Sequence, residues 1–248
     1  MLTATFRFYE ELNNFLLKER RKVDFIYSFD RKASIKDCIE SMGVPHTEID
    51  LILVNGVSVD FSYILADQDR VSVYPVFELL DITEVTRLRP QPLRDPRFVV
   101  DVNLGRLARY LRLLGFDVLF RNDYVDQELV ELSSGQGRIL LTRDRNLLKH
   151  AAITHGCFVH NTEPLRQIEE VIQRLDLVNS SVPFKRCIRC NGMLQPVEKG
   201  EIEDRLPPLT RKYYEVFWCC DDCSQIYWKG AHYGRMMELV EGLLALEG

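Results

Sequence analysis

The stretch Phe98-Val99-Val100-Asp101-Val102-Asn103-Leu104-Gly105-Arg106-Leu107-Ala108-Arg109 decides the reading of this chain. An apolar run ends abruptly at an aspartate, and a helical pattern follows at once. A continuous apolar run is the mark of a strand buried on both faces, as in parallel sheets. Leu104, Leu107, Ala108, Leu111 and Leu114 then recur on one helical face, and Gly115 ends the helix. The same grammar returns in Arg138-Ile139-Leu140-Leu141-Thr142-Arg143-Asp144-Arg145. Each aspartate is therefore expected at a strand exit, where open α/β sheets build their sites.

Working outward, residues 97–180 alternate strand and helix. Strands are expected at Phe98–Asp101, Asp117–Phe120, Ile139–Thr142 and Cys157–His160. Helices are expected after Leu104, over Glu128–Ser133, over Asn146–Ile153, and over Pro164–Leu175 with proline near N1. This is a doubly wound parallel unit.

Residues 1–80 read as a β-β-α-β-β unit. Leu2, Ala4, Phe6 and Phe8 alternate, as do Val23, Phe25 and Tyr27. Ser34 can cap a short helix that ends near Gly43. Asn55-Gly56 between apolar runs is a type I′ hairpin signal, and Val71–Tyr74 gives a last strand. The order resembles the ubiquitin-like β-grasp fold and its sulfur-carrier branch. That branch needs a terminal Gly-Gly, whereas this chain continues through Pro75-Val76-Phe77, so a docking role for a protein partner is the expectation. Residues 81–96, with Pro90, Pro92 and Pro96, read as a linker.

Residues 181–248 break the rhythm. Cys187-Ile188-Arg189-Cys190 and Cys220-Asp221-Asp222-Cys223 are two CxxC knuckles. Two such turns present four thiolates to one tetrahedral ion, which points to a structural Zn2+ ribbon. Cys220 is preferred to Cys219 because it completes the CxxC. Cys38 and Cys157 are expected in the core. Met236, Met237, Val240, Leu243 and Leu244 mark one face of a closing helix over residues 232–246.

The 248 residues carry a net charge of −5, so the chain as a whole is no basic nucleic-acid binder. The imbalance lies in residues 1–80, with 9 Lys/Arg against 13 Asp/Glu, while residues 184–235 carry 9 against 7. A polyanion would meet the central and C-terminal parts. No apolar stretch reaches membrane-spanning length, and the N-terminus reads as a strand rather than a signal peptide. A cytoplasmic protein is expected.

Asp101 and Asp144, with Asp126 at the start of the second helix, form a carboxylate set suited to Mg2+ or Mn2+. Asp126 and Asp144 also read as helix caps, and Asn103 as a cap for the Leu104 helix. Arg106, Arg109 and Arg112 recur opposite the leucine face, and Arg143, Arg145 and Lys149 cluster beside Asp144. These are candidates to hold phosphates, or a solvated face. Asp117 and Asp123 read as loop residues.

The run from Asp101 to Arg109 with Leu111-Arg112-Leu113-Leu114-Gly115-Phe116-Asp117, then Asp126, then Leu141-Thr142-Arg143-Asp144-Arg145, resembles the Mut-seven C-terminal ribonuclease family. Tyr227-Trp228-Lys229-Gly230-Ala231-His232 after the second knuckle adds to the resemblance. It implies a PIN-like nuclease domain, a zinc ribbon, an N-terminal ubiquitin-like domain, and metal-dependent cleavage of RNA by Asp101, Asp126 and Asp144. His232 is read as a loop-packing histidine. Two rivals remain open. One is a non-catalytic RNA- or ribosome-associated adaptor using the ribbon and β-grasp domain. The other is a phosphatase-like hydrolase, ranked last because Asn103 stands where a second acid would be wanted.

Overall fold

A computed structural model describes residues 1–75, 88 and 96–245. In chain order the elements are β1 (Leu2–Phe8), β2 (Phe25–Phe29), α1 (Ile35–Ser41), β3 (Ile49–Val54), β4 (Val57–Ser58), β5 (Arg70–Pro75), β6 (Arg97–Val100), α2 (Gly105–Leu113), β7 (Asp117–Leu119) and α3 (Asp126–Gln136). There follow β8 (Ile139–Thr142), α4 (Arg145–Leu148), β9 (Gly156–Phe158), α5 (Pro164–Arg174), β10 (Leu194–Val197), α6 (Lys199–Ile202), α7 (Pro208–Tyr213), β11 (Phe217–Cys220), β12 (Ile226–Trp228) and α8 (Ala231–Leu244). Three sheets result: a mixed β2-β1-β5-β3-β4, an all-parallel β7-β6-β8-β9, and an antiparallel β10-β11-β12. Apart from Leu88 and Pro96, the linker expected over 81–96 lies outside the described residues.

The chain forms two compact units, each from two stretches: Met1–Asp95 with Val125–Val159, and Pro96–Tyr124 with His160–Gly248. In the first, β1 runs parallel to β5 and antiparallel to β2, and β3 pairs antiparallel with both β5 and β4. The alternation in β1 buries Ala4, Phe6 and Phe8. Ser34 Oγ accepts from the Asp37 N–H, so the expected cap is made. Asn55 (φ +50°) and Gly56 (φ +83°) both take the left-handed conformation that a type I′ turn demands.

In the same unit, residues 125–159 are joined to the turns and helix end of the N-terminal stretch by a few polar anchors. The 3-10 turn His46–Glu48 meets β9. Glu48, 1% exposed, accepts the Phe158 N–H at 2.5 Å, so it covers a donor on an edge strand. His46 bridges Glu40 Oε1 (2.7 Å) and the Ile153 carbonyl (2.9 Å). The helix expected over Asn146–Ile153 stops at Leu148. Lys149 and His150 instead donate to the carbonyls three residues back, which tightens and ends the turn.

In the second unit, β6 pairs parallel with β7 from Arg97↔Asp117 to Val99↔Leu119. Helix α2 packs against α5 and β7. Gly115 closes α2 at φ +94°, and an added Cβ would sit 2.0 Å from the Val182 carbonyl oxygen. That crowding comes from the following segment, where the Val182 and Phe184 N–H groups donate to Leu114 and Leu113. The ribbon's long hairpin carries α6 and α7, which enclose a small core of Ile202, Leu206, Phe217 and Ile226.

Candidate functional site

The cysteine cluster is the most fully built part. Among the described residues, Cys187, Cys190, Cys220 and Cys223 form the group of metal-ligating side chains whose donor atoms all lie within 4.8 Å of one another. The Cys187–Cys223 and Cys190–Cys220 sulfur pairs are 3.6 and 3.3 Å apart. A tetrahedral site with Zn–S bonds of about 2.3 Å places its sulfurs roughly 3.8 Å apart, so the set fits such an ion. Gly192 leaves the space: a Cβ there would lie 2.8 Å from Cys220 Sγ. Cys219 is no member of the cluster.

The thiols also show why a cation is wanted. Burial opposes ionisation of Cys187, yet hydrogen bonds from the Tyr227 hydroxyl (3.1 Å) and from backbone N–H groups outweigh it and hold this thiol at about 7. Burial pushes Cys190 up to about 12. The neighbouring sulfurs push Cys190 the same way, and a bound cation would favour its thiolate.

The knuckle is seated on β7. Asn191, at φ +80°, accepts the Val118 N–H through Oδ1 and donates to Asp117 Oδ1. Arg186 lies 3.5 Å from the other Asp117 oxygen. Asp117 is thus a docking residue on a strand, not a loop residue. Arg112, read as a phosphate holder or part of a solvated face, is instead buried at 4% exposure. Its Nε and NH2 donate to the Val118 carbonyl, and NH1 to the carbonyls of Ile188 and Arg189. Burial lowers its pKa, while the nearby Cys190 and Cys187 act in the opposite sense.

Asp101 follows β6 directly, is 9% exposed, and holds the N-cap position of the 3-10 turn Val102–Leu104 without a side-chain cap bond, its carbonyl accepting the Leu104 N–H. Asn103 caps nothing; Leu104 is the N-cap residue of α2, with no side-chain cap bond. Instead Asn103 joins Arg106, Arg109, Phe120, Asn122 and Gln167 in lining a pocket of about 400 Å3. Among the described residues, neither Arg106 nor Arg109 has a hydrogen bond or ion pair.

Asp144 caps α4, its Oδ1 accepting from Asn146 (2.7 Å) and Leu147 (3.4 Å). Among the described residues its second oxygen has no partner. Asp126 is exposed and is not a cap: Val125 holds that position, and Glu128 accepts its N–H at 3.1 Å. Val125 has no polar side chain, so the other arm of a capping box is missing. The cations beside Asp144 have protein partners. Arg143 NH1 donates to the Val159 carbonyl (2.8 Å). Arg145 stacks over Phe15 and Phe158, with centroids at 5.1 and 5.4 Å. Lys149 Nζ donates to the Glu40 carbonyl at 2.7 Å. Asp123 makes a surface pair with Arg121. His232 lies exposed in the first turn of α8, not packed in a loop. Lys229 Nζ lies 5.9 and 5.7 Å from the Trp218 and Tyr233 ring centroids, an aromatic-basic patch on the ribbon that the sequence reading did not single out.

The described residues thus include a parallel sheet with an acid directly after a strand, an arginine-lined pocket and a four-cysteine cluster. Residues 96–240, more than half of the chain, match the family model for the Mut7-C RNAse domain, and the chain belongs to that family. Residues 1–81 match the Mut7-C ubiquitin model. No curated protein and no solved structure matches the chain. The RNAse-domain match carries a nuclease-type function. No helix among the described residues is long and apolar enough to cross a membrane.

Proposed function

We propose that the protein is a metal-dependent ribonuclease of the PIN-like kind, with Asp101, Asp126 and Asp144 as its carboxylates. One observation carries this reading: Asp101, an acid nine-tenths buried at a parallel-strand exit, leads within two residues into a pocket lined by two arginines that are unpaired among the described residues. Asp126 and the second oxygen of Asp144 have no protein partner among the described residues, so each is available to a hard cation. A divalent ion such as Mg2+ or Mn2+ would lower the pKa of an attacking water and neutralise the scissile phosphate. Arg106 and Arg109 hold the strand's phosphates. Arg143, Arg145 and Lys149 chiefly support the loop that carries Asp144, since each is engaged with protein groups.

The four cysteines hold structural Zn2+, and the ribbon adds RNA contacts through Lys229 and its aromatic neighbours. A cytoplasmic location belongs to the same reading, because reduced thiols are needed to take the metal. The N-terminal domain is a protein-docking module.

The test is cleavage of 5′-labelled single-stranded and hairpin RNA with Mn2+, Mg2+ or EDTA. Metal-dependent products ending in 5′ phosphate and 3′ hydroxyl are expected, and none with Asp101→Asn at an unchanged melting temperature. Intact RNA in every lane, from folded and zinc-loaded protein, would replace this reading with the RNA-binding adaptor.

A further inference from the structure

The pocket beside Asp101 has more character than an anion patch. It lies within one unit, and two helix N-termini reach it: Gly105 and Arg106 from α2, and Pro164 and Gln167 from α5. Neither helix has a side-chain cap bond, and neither has an acid in its first turn. Glu163, the N-cap residue of α5, is exposed and does not line the pocket. Two helix dipole ends and two guanidinium groups, unpaired among the described residues, therefore converge with no carboxylate among the pocket's lining residues.

The rest of the wall is suited to a base. The Phe120 ring lies against Gly105, where an added Cβ would sit 2.7 Å from its Cζ. Asn103 and Asn122 are exposed amides, and among the described residues neither is hydrogen-bonded. Gln167 is only 5% exposed. Its Nε2 donates to the Asn161 and Thr162 carbonyls, which fixes the amide and leaves Oε1 without a partner among the described residues. A rigid, mostly buried acceptor beside an aromatic ring is the arrangement that reads a base edge. The volume, about 400 Å3, is at the small end of ligand pockets, which run from roughly 300 to 1,000 Å3.

Resting on the ribonuclease reading, we propose that this pocket is a subsite for a single unpaired nucleotide of the RNA. Its phosphate lies between Arg106 and Arg109 at the two helix N-termini. Its base lies against Phe120, with its edge toward Gln167 Oε1 and the two asparagine amides. The site selects single-stranded RNA next to the scissile bond, because a base held in a duplex cannot enter such a pocket.

The test is a calorimetric titration of the full-length, zinc-loaded protein, without added divalent ion, with adenosine 5′-monophosphate, adenosine and inorganic phosphate. The nucleotide is expected to bind one-to-one and at least about tenfold more tightly than either fragment. Arg106→Gln and Arg109→Gln should each weaken nucleotide and phosphate alike by about tenfold or more, the effect of losing a charge-assisted hydrogen bond. Phe120→Leu should weaken nucleotide and adenosine and leave phosphate unchanged. Circular-dichroism melting of each variant reports its fold.

Equal affinity for nucleotide and phosphate, or folded arginine variants that bind like the parent, would overturn the subsite. Parent protein that cleaves RNA but binds no nucleotide at millimolar concentration would also overturn it, with the ribonuclease reading intact. Arginine-dependent nucleotide binding without any RNA cleavage would sustain the subsite and remove the ribonuclease.

Discussion

Arg112 and Arg106 stand six residues apart on one helix, yet they do different work. Arg106 lines an open pocket with no partner among the described residues, whereas Arg112 spends its donors on three backbone carbonyls. Replacing Arg112 by methionine keeps the bulk and leaves the Val118 and Arg189 carbonyls unsatisfied. We expect a stability loss of about 3 kcal/mol, read as a lower urea midpoint, together with faster zinc release to a chromogenic chelator. The difference between the two arginines was illegible in the sequence. The three-residue recurrence puts both opposite the leucines, and the partners of Arg112 lie 76 and 77 positions away. The same distance hid the roles of Arg145 and Lys149, whose partners Phe15 and Glu40 precede them by more than a hundred residues. The position of Asp101 directly after β6 was legible because its signal is local, an acid ending an apolar run.

Elements were legible in proportion to how local their causes are. The Asn55-Gly56 turn, the Ser34 cap and the Gly115 stop each depend on one or two residues, and each stands where the pattern put it. The ribbon's spacing is equally local within each CxxC. Cys220→Ser should abolish stoichiometric zinc and unfold the β10-β11-β12 sheet. Cys219→Ser should keep one zinc per chain and a near-parental melt, since only the former belongs to the cluster. Zinc content by atomic emission beside the melting curves decides it. The truncated α4 was not legible, because its end is made by the backbone bonds of Lys149 and His150 rather than by glycine or proline. Nor was the edge of β9, where a carboxylate from the other end of the sequence covers a donor. Glu48→Ala should leave the Phe158 N–H buried without its acceptor and cost about 2 kcal/mol, measured by urea denaturation.

At the scale of the molecule, the two family matches divide the chain at residues 81 and 96. Its compact units divide it differently, since residues 125–159 are built into the unit that begins at Met1. A chain beginning at Pro96 would therefore present Phe158 and Arg145 without Phe15 and the Glu48 carboxylate. We expect it to be largely insoluble, or to melt far below the full-length protein; a soluble product with the parental melting temperature would show that the packing in the first unit contributes little.

The same interleaving governs how the protein is made. The five strands of the N-terminal sheet are complete by Pro75, but the unit is not complete until Val159 has been synthesised. At about 5–20 residues per second the ribosome needs roughly 4 to 17 s to supply that remainder. For that interval the nascent chain carries Phe15 and the buried carboxylate of Glu48 with no surface to receive them. The N-terminal sheet must wait on translation, and a slow stretch of codons ahead of residue 159 would lengthen its exposure to chaperones and proteases.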